Sequence, residues 1–214
     1  MKKNHKLALL GATLSLSTGL LFLGSATVNA DEAINADKYT QDVNELQKIF
    51  TNKNKNYSLE EITVENNKEN TKQPVYKLEG FNSKKSKEAK MKVNAEKTSE
   101  VIKNKTEKMD ADDKKDAVAI KTDDVKKNPT DAINLAKKYA DVTSNATEWK
   151  LEMDKVKGKE TPVYKVEFEN AQKSTKSSTN SNKKSSSKKD KDDKKIVVKL
   201  NATTGDKISV KTDD

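Results

Sequence analysis

Few side chains in this sequence can do chemistry, and their types narrow the field at once. There is no cysteine, and the one histidine, His5, lies within the first thirty residues. Cysteine nucleophiles, Ser-His-Asp relays and zinc–histidine sites are therefore excluded from the rest of the chain. Carboxylate chemistry and Ser–Lys pairs stay open in principle, but no spacing singles them out, and the chain reads as a non-enzyme without cofactor or metal. The acidic run DADDKKD at 110–116 invites comparison with a calcium loop. Such a loop needs Gly at its sixth position and Glu at its twelfth. Counted from Asp110, those positions hold Lys115 and Lys121, so the match fails and the run reads as a solvated linker. Tyr76 in QPVYKLEG and Tyr164 in TPVYKVEF stand at matching places, and Trp149 is the lone tryptophan. These three are the candidates for contact with a partner. Equally, they are the residues a small sheet would bury, with the tyrosine hydroxyls at the rim.

The elements that must carry these residues come in two similar sets. DVNELQKIF at 42–50 aligns with DAINLAKKY at 131–139, ITVE at 62–65 with LEMD at 151–154, and MKVNA at 91–95 with VKLNA at 198–202. The order of matched segments is kept throughout, which marks an internal repeat. Tyr39, Val43, Leu46, Ile49 and Phe50 recur at helical spacing, as do Ile133, Leu135, Ala136, Tyr139 and Ala140. Pro129 and Thr130 open the second helix, with Thr or Asp as its cap. After each helix the pattern changes to period two: Trp149, Leu151, Met153; Tyr164, Val166, Phe168; Val198, Leu200, Ala202. TTGDK then reads as a hairpin turn. The expected fold is α+β, with two tandem small domains. Each is one helix on the apolar face of a roughly four-stranded antiparallel sheet.

The second copy resembles the PepSY domain. It carries Pro162, Val163, Tyr164, Val166 and Phe168, then Asn201, Ala202, Thr204, Gly205 and Ile208, like the family's P-V-Y-x-V-x-F and D-A-x-T-G-x-I pattern. Asn201 stands where the family usually has Asp. The first copy departs further: Gly80 replaces the strand aromatic, Thr98 replaces the turn glycine, and Glu60 falls opposite Trp149. The resemblance implies a cystatin-like helix on a curved sheet, no catalytic residues, and a protein or peptide partner such as an extracellular peptidase to be restrained. The expected layout is residues 36–106 as a degenerate first domain, 107–128 as a charged linker, and 129–212 as the second domain. The second domain contains a Ser/Lys/Asn insertion at 171–195, expected to be a disordered loop because it lacks apolar side chains.

Residues 1–30 have the form of a secretory signal: Lys2, Lys3 and Lys6, an apolar run, then small residues with cleavage expected between Ala30 and Asp31. No later segment is apolar enough to span a bilayer, and no cysteine stands near the cleavage point to carry a lipid. The product is expected outside the cell, in solution or associated with the wall. The formal charge of the whole sequence is +9, and all of its basic side chains are lysine. Without arginine's planar fork, sequence-specific nucleic-acid recognition is disfavoured. Diffuse attraction to an anionic wall polymer is the alternative function.

Overall fold

The computed structural model describes residues 34–67, 70–169, 171 and 195–213. The expected cleavage point at Ala30 and Asp31 lies outside them, as does the 171–195 insertion except for its two end residues.

Helix α1 (Val43–Lys53) starts at Asp42, whose carboxylate accepts from the N–H groups of Asn44 (2.8 Å) and Glu45 (3.2 Å). Val43, Leu46 and Phe50 form its buried stripe. Helix α3 (Pro129–Ala140) starts two residues earlier than a Thr130 cap would place it and three earlier than an Asp131 cap would. Asn128 caps it by accepting from Asp131 N–H at 2.8 Å, and Pro129 occupies the first turn, where a missing N–H costs nothing. Its buried residues Ala132, Ile133 and Ala136 are small or slim enough to bring it close to the sheet. Between these helices lies the short α2 (Ala111–Asp116), which buries none of its residues.

The strands are β1 (Tyr57–Asn67), β2 (Asn70–Asn82), β3 (Lys87–Asn94), β4 (Val101–Lys108), β5 (Glu148–Val156), β6 (Lys159–Phe168), β7 (Lys195–Asn201) and β8 (Lys207–Asp213). The element order, one long helix followed by four strands, thus occurs twice. The expectation of two separate four-stranded sheets is corrected, however. All eight strands form one antiparallel sheet in the order β4-β3-β2-β1-β5-β6-β7-β8. β1 and β5 join the halves through Glu61↔Glu152, Ile62↔Leu151, Thr63↔Lys150 and Val64↔Trp149. Two separate sheets would have left both strands as open edges, and pairing them removes two edges at once. One core cluster runs across both halves, from Leu46 and Phe50 to Phe168 and Leu200. Both long helices contribute to it, so they cover the same face. The described residues accordingly belong to one compact unit.

Cross-strand pairing also corrects the alignment of the repeats. Tyr76 faces Val64 on β1 and Val93 on β3, while Tyr164 faces Leu151 on β5 and Leu200 on β7. Val64 is therefore the counterpart of Leu151, and Ile62, not Glu60, is the counterpart of Trp149. The sequence alignment is off by two residues here. A slip of two preserves the in–out alternation of a strand, so hydrophobic pattern is blind to it. With the register corrected, the counterpart of Thr63 is Lys150, and these two residues face each other at the centre of the sheet.

The charged segment 107–128 keeps its acidic run exposed, since α2 buries none of its residues, but it is pinned to the body on both sides of that run. Met109 and Ala117 pack with Phe81 in a second small cluster. Ile120 N–H donates to the Leu59 carbonyl (2.8 Å), Thr122 Oγ1 to Gln47 Oε1 (2.9 Å), and Lys126 and Lys127 N–H to the Ala202 carbonyl (3.0 and 2.9 Å). Among the described residues no helix is long and apolar enough to cross a membrane.

Candidate functional site: the central seam and the open face

Tyr76, Trp149 and Tyr164 come together at the seam. Trp149 sits between the two tyrosines, with ring centroids 6.1 Å from each, tilted by 56° to Tyr76 and 71° to Tyr164. All three are buried, at 1% exposure or less. Trp149 Nε1–H donates to the Tyr39 carbonyl at 2.8 Å. The Tyr76 hydroxyl accepts from Gln41 N–H (3.0 Å), and the Tyr164 hydroxyl donates to the Lys127 carbonyl (3.0 Å). Each tyrosine thus holds the segment that leads into the helix of its own half. Burial pushes the Tyr76 hydroxyl up to about 12 and raises Tyr164 further. These residues offer no face to a partner, and their reading as contact residues is replaced by one as the stitching of the core.

What faces outward is the other side of the sheet, which neither long helix covers. One row of residues crosses all eight strands there. Lys103, Lys92 and Lys77 lie on β4, β3 and β2. Thr63 and Lys150 meet at the seam, Lys165 and Lys199 continue on β6 and β7, and Ser209 ends the row on β8. At roughly 4.8 Å per strand, the six lysines span about 29 Å. Carboxylates flank the row on both sides: Glu79, Glu61 and Glu152 on one, Glu65, Glu148 and Glu167 on the other. Lys150 pairs with Glu61 (2.5 Å) and Glu152 (2.8 Å), Lys77 with Glu79 (3.0 Å), Lys199 with Asp154 (3.0 Å), and Lys165 with Glu152.

The centre of this row explains an asymmetry between two glutamates. Glu61 and Glu148 hold equivalent places, each two residues along from the central pair. Burial raises the Glu61 carboxyl, but hydrogen bonding to Lys150 and the nearby Lys77 outweigh it and leave it below its usual value. For Glu148, burial combines with Glu167 and Glu65 to push it up to about 7, and Lys195 and Lys150 offset this only in part. The central pair is Thr63 with Lys150, so Glu61 has a bonded ammonium group where Glu148 has a threonine. Glu60, at the bulge between Leu59 and Glu61, is also pushed up to about 7, by burial first and then by Glu61, Glu79, Glu88 and Asp113. Sequence reasoning missed this face. Its signal was present as the polar half of every alternating strand, but the register needed to align six lysines was not.

The comparisons fit this architecture. Residues 126–211, which hold α3 and β5–β8, match the PepSY family, described as "Peptidase propeptide and YPEB domain". A PepSY domain is therefore present in the second half. The fold also matches a crystal structure of a candidate lipoprotein from Clostridium difficile 630. The TM-score is 0.58 at 22% identity, covering 82% of this chain and 95% of that one. Coverage of that extent reaches well beyond 126–211, so the likeness takes in the first half as well. It is a likeness of fold alone, and this chain has no cysteine to carry a lipid. No curated protein matches the chain.

Proposed function

We propose that this is an exported, non-enzymatic binding protein that restrains an extracellular peptidase, with the first half a degenerate PepSY-like unit and the second a typical one. The observation that carries the reading is the match of residues 126–211 to a peptidase propeptide domain. The two long helices occupy one face of the sheet and the α2 segment covers the opposite face around Phe81, which leaves the rest of that face and the edges β4 and β8 for a partner. β8 is the favoured edge because it belongs to the PepSY half, pairs only with β7, and carries Val210, the exposed large hydrophobic residue among those described. An extended segment at the rim of a peptidase cleft can add to such an edge through backbone hydrogen bonds. Lysines at Lys207 and Lys211 discourage the same edge from pairing with a second copy of itself.

The test is titration of the chain from Asp31 onward into secreted peptidases of the producing culture, followed by peptide hydrolysis and co-elution. Inhibition with co-elution is expected, and Ser209→Pro, which disrupts strand addition, should weaken both. Failure to slow or retain any peptidase in that culture would refute the reading.

A further inference from the structure

The lysine row ends in a hollow in the first half. At the β2–β4 corner of the open face, a depression of about 200 Å³ is lined by Lys77, Lys90, Lys92, Lys103 and Lys105, against only two carboxylates, Glu79 and Glu107. Lys92 lies directly opposite Lys103, and Lys90 directly opposite Lys105. Like charges so placed destabilise a sheet. At the equivalent corner of the second half, Lys90 is replaced by Val197 and Lys103 by Ser209, so the clustering of ammonium groups is specific to the first half. Glu107 is shared between Lys90 (2.9 Å) and Lys105, while Lys92 bonds a neutral acceptor, Asn67 Oδ1, at 3.2 Å.

We propose that this hollow seats a phosphate group of a linear, phosphate-bearing polyanion whose chain runs from it along the lysine row. Three features select that ligand. Ammonium groups converging from β2, β3 and β4 suit a tetrahedral anion that can accept from several directions, and lysine serves phosphate well as a point charge. The row then continues through Lys150, Lys165 and Lys199, which gives a repeating anion further contacts at the spacing of the strands. Finally, the carboxylates of the central strands are anchored two residues from the row, about 7 Å away along the backbone, and Glu61, Glu79 and Glu152 reach in to pair with Lys77, Lys150 and Lys165. They repel a broad acidic surface but leave a track for a single thread. An acidic protein face would meet Glu61, Glu79 and Glu152 on one side and Glu65, Glu148 and Glu167 on the other. The hollow lies at the opposite end of the sheet from the β8 edge, so failure here leaves the peptidase reading standing, and the reverse also holds.

The experiment is fluorescence anisotropy of labelled inorganic polyphosphate with the chain from Asp31 onward, across a range of salt concentrations. The variant Lys92→Gln/Lys103→Gln is compared with Lys48→Gln/Lys138→Gln, which removes the same charge from the helix side. The hollow variant should bind about tenfold more weakly, and the helix-side variant within about twofold of the parent. Lys92→Arg/Lys103→Arg should retain binding, which separates lost charge from lost folding. Equal losses in the two Gln variants would overturn the proposal in favour of general basicity. Competition by polyglutamate as effective as that by unlabelled polyphosphate would overturn it in favour of an acidic protein partner.

Discussion

Glu148→Gln should make the protein more stable at mildly alkaline pH and leave it unchanged in acid. Unfolded, the carboxyl titrates near 4.5; folded, it is pushed up to about 7. Below the lower value it is protonated in both states and contributes nothing. Between the two values the native state holds a proton that the unfolded state has released, so each rise in pH lowers stability. Above about pH 7 the penalty is complete. Taken at face value, a shift from 4.5 to about 7 corresponds to about 3 kcal/mol. Glu148 is only partly buried, and solvent screening reduces this to about 1–2 kcal/mol. Glutamine keeps the shape of the neutral acid and removes the charge. Urea unfolding followed by Trp149 fluorescence, at about pH 8 and about pH 4.5, measures the difference directly. The variant should gain about 1–2 kcal/mol at the higher pH, or roughly 2–4 °C in Tm per kcal/mol, and nothing at the lower. An equal effect at both pH values would show that packing, not the Glu65–Glu148–Glu167 cluster, sets the response. Loss of stability at pH 8 would refute the electrostatic account of the seam.

Because one core spans both halves, the protein should unfold in a single transition, with Trp149 fluorescence and far-ultraviolet circular dichroism coinciding. Two separated transitions would restore the picture of independent domains. Trp149→Ala should cost about 3–5 kcal/mol and destabilise both halves together, as read by hydrogen exchange on β2 and β6. Gly80→Ala should be severely destabilising in chemical denaturation. Its added Cβ would lie 2.1 Å from the Ser58 carbonyl oxygen and 2.8 Å from Phe50 Cζ, and the backbone contact cannot relax as a side chain would.

Gly80 also shows where sequence and structure part. Read by pattern, it is a defect, a glycine where the second copy has Phe168. In the sheet it is a seat: the Phe50 ring from α1 presses onto it, and Phe50 is fully buried. In the first half the space over that strand position is filled from the helix, by Phe50. Composition at one position cannot show such a contact, because the two residues that make it are far apart in the chain. The helices and strands were legible, since Leu46, Phe50, Tyr164 and Val166 repeat with periods that only those elements have. The merged sheet was not, because nothing in the alternation of β1 or β5 tells a strand whether its neighbour is water or another strand. The buried fate of Trp149 was available as one of two readings. Its place between Tyr76 and Tyr164 depended on a register that period-two patterns leave undetermined to within two residues.

The seam also constrains how the two halves can act. If β1 and β5 were free edges, each half could recruit a partner strand there. Their pairing closes that route, and Asp37 tightens the joint. It accepts from Ala146 N–H at 3.0 Å and pairs with Lys137, so the segment leading into α1 is anchored on the other half. Of the surfaces that remain, two carry the two proposals. One is an edge, β8, where the available chemistry is backbone hydrogen bonding beside a single exposed valine. The other is the open face, where the proposed chemistry is ammonium against phosphate. Salt separates them: the screening length falls to about 10 Å at 0.1 M and shortens further above it. Contact at the lysine row should fade with rising ionic strength, whereas strand addition at β8 should hold. One salt titration on the intact chain, with Ser209→Pro and Lys92→Gln/Lys103→Gln as opposite controls, distinguishes which surface a captured partner uses.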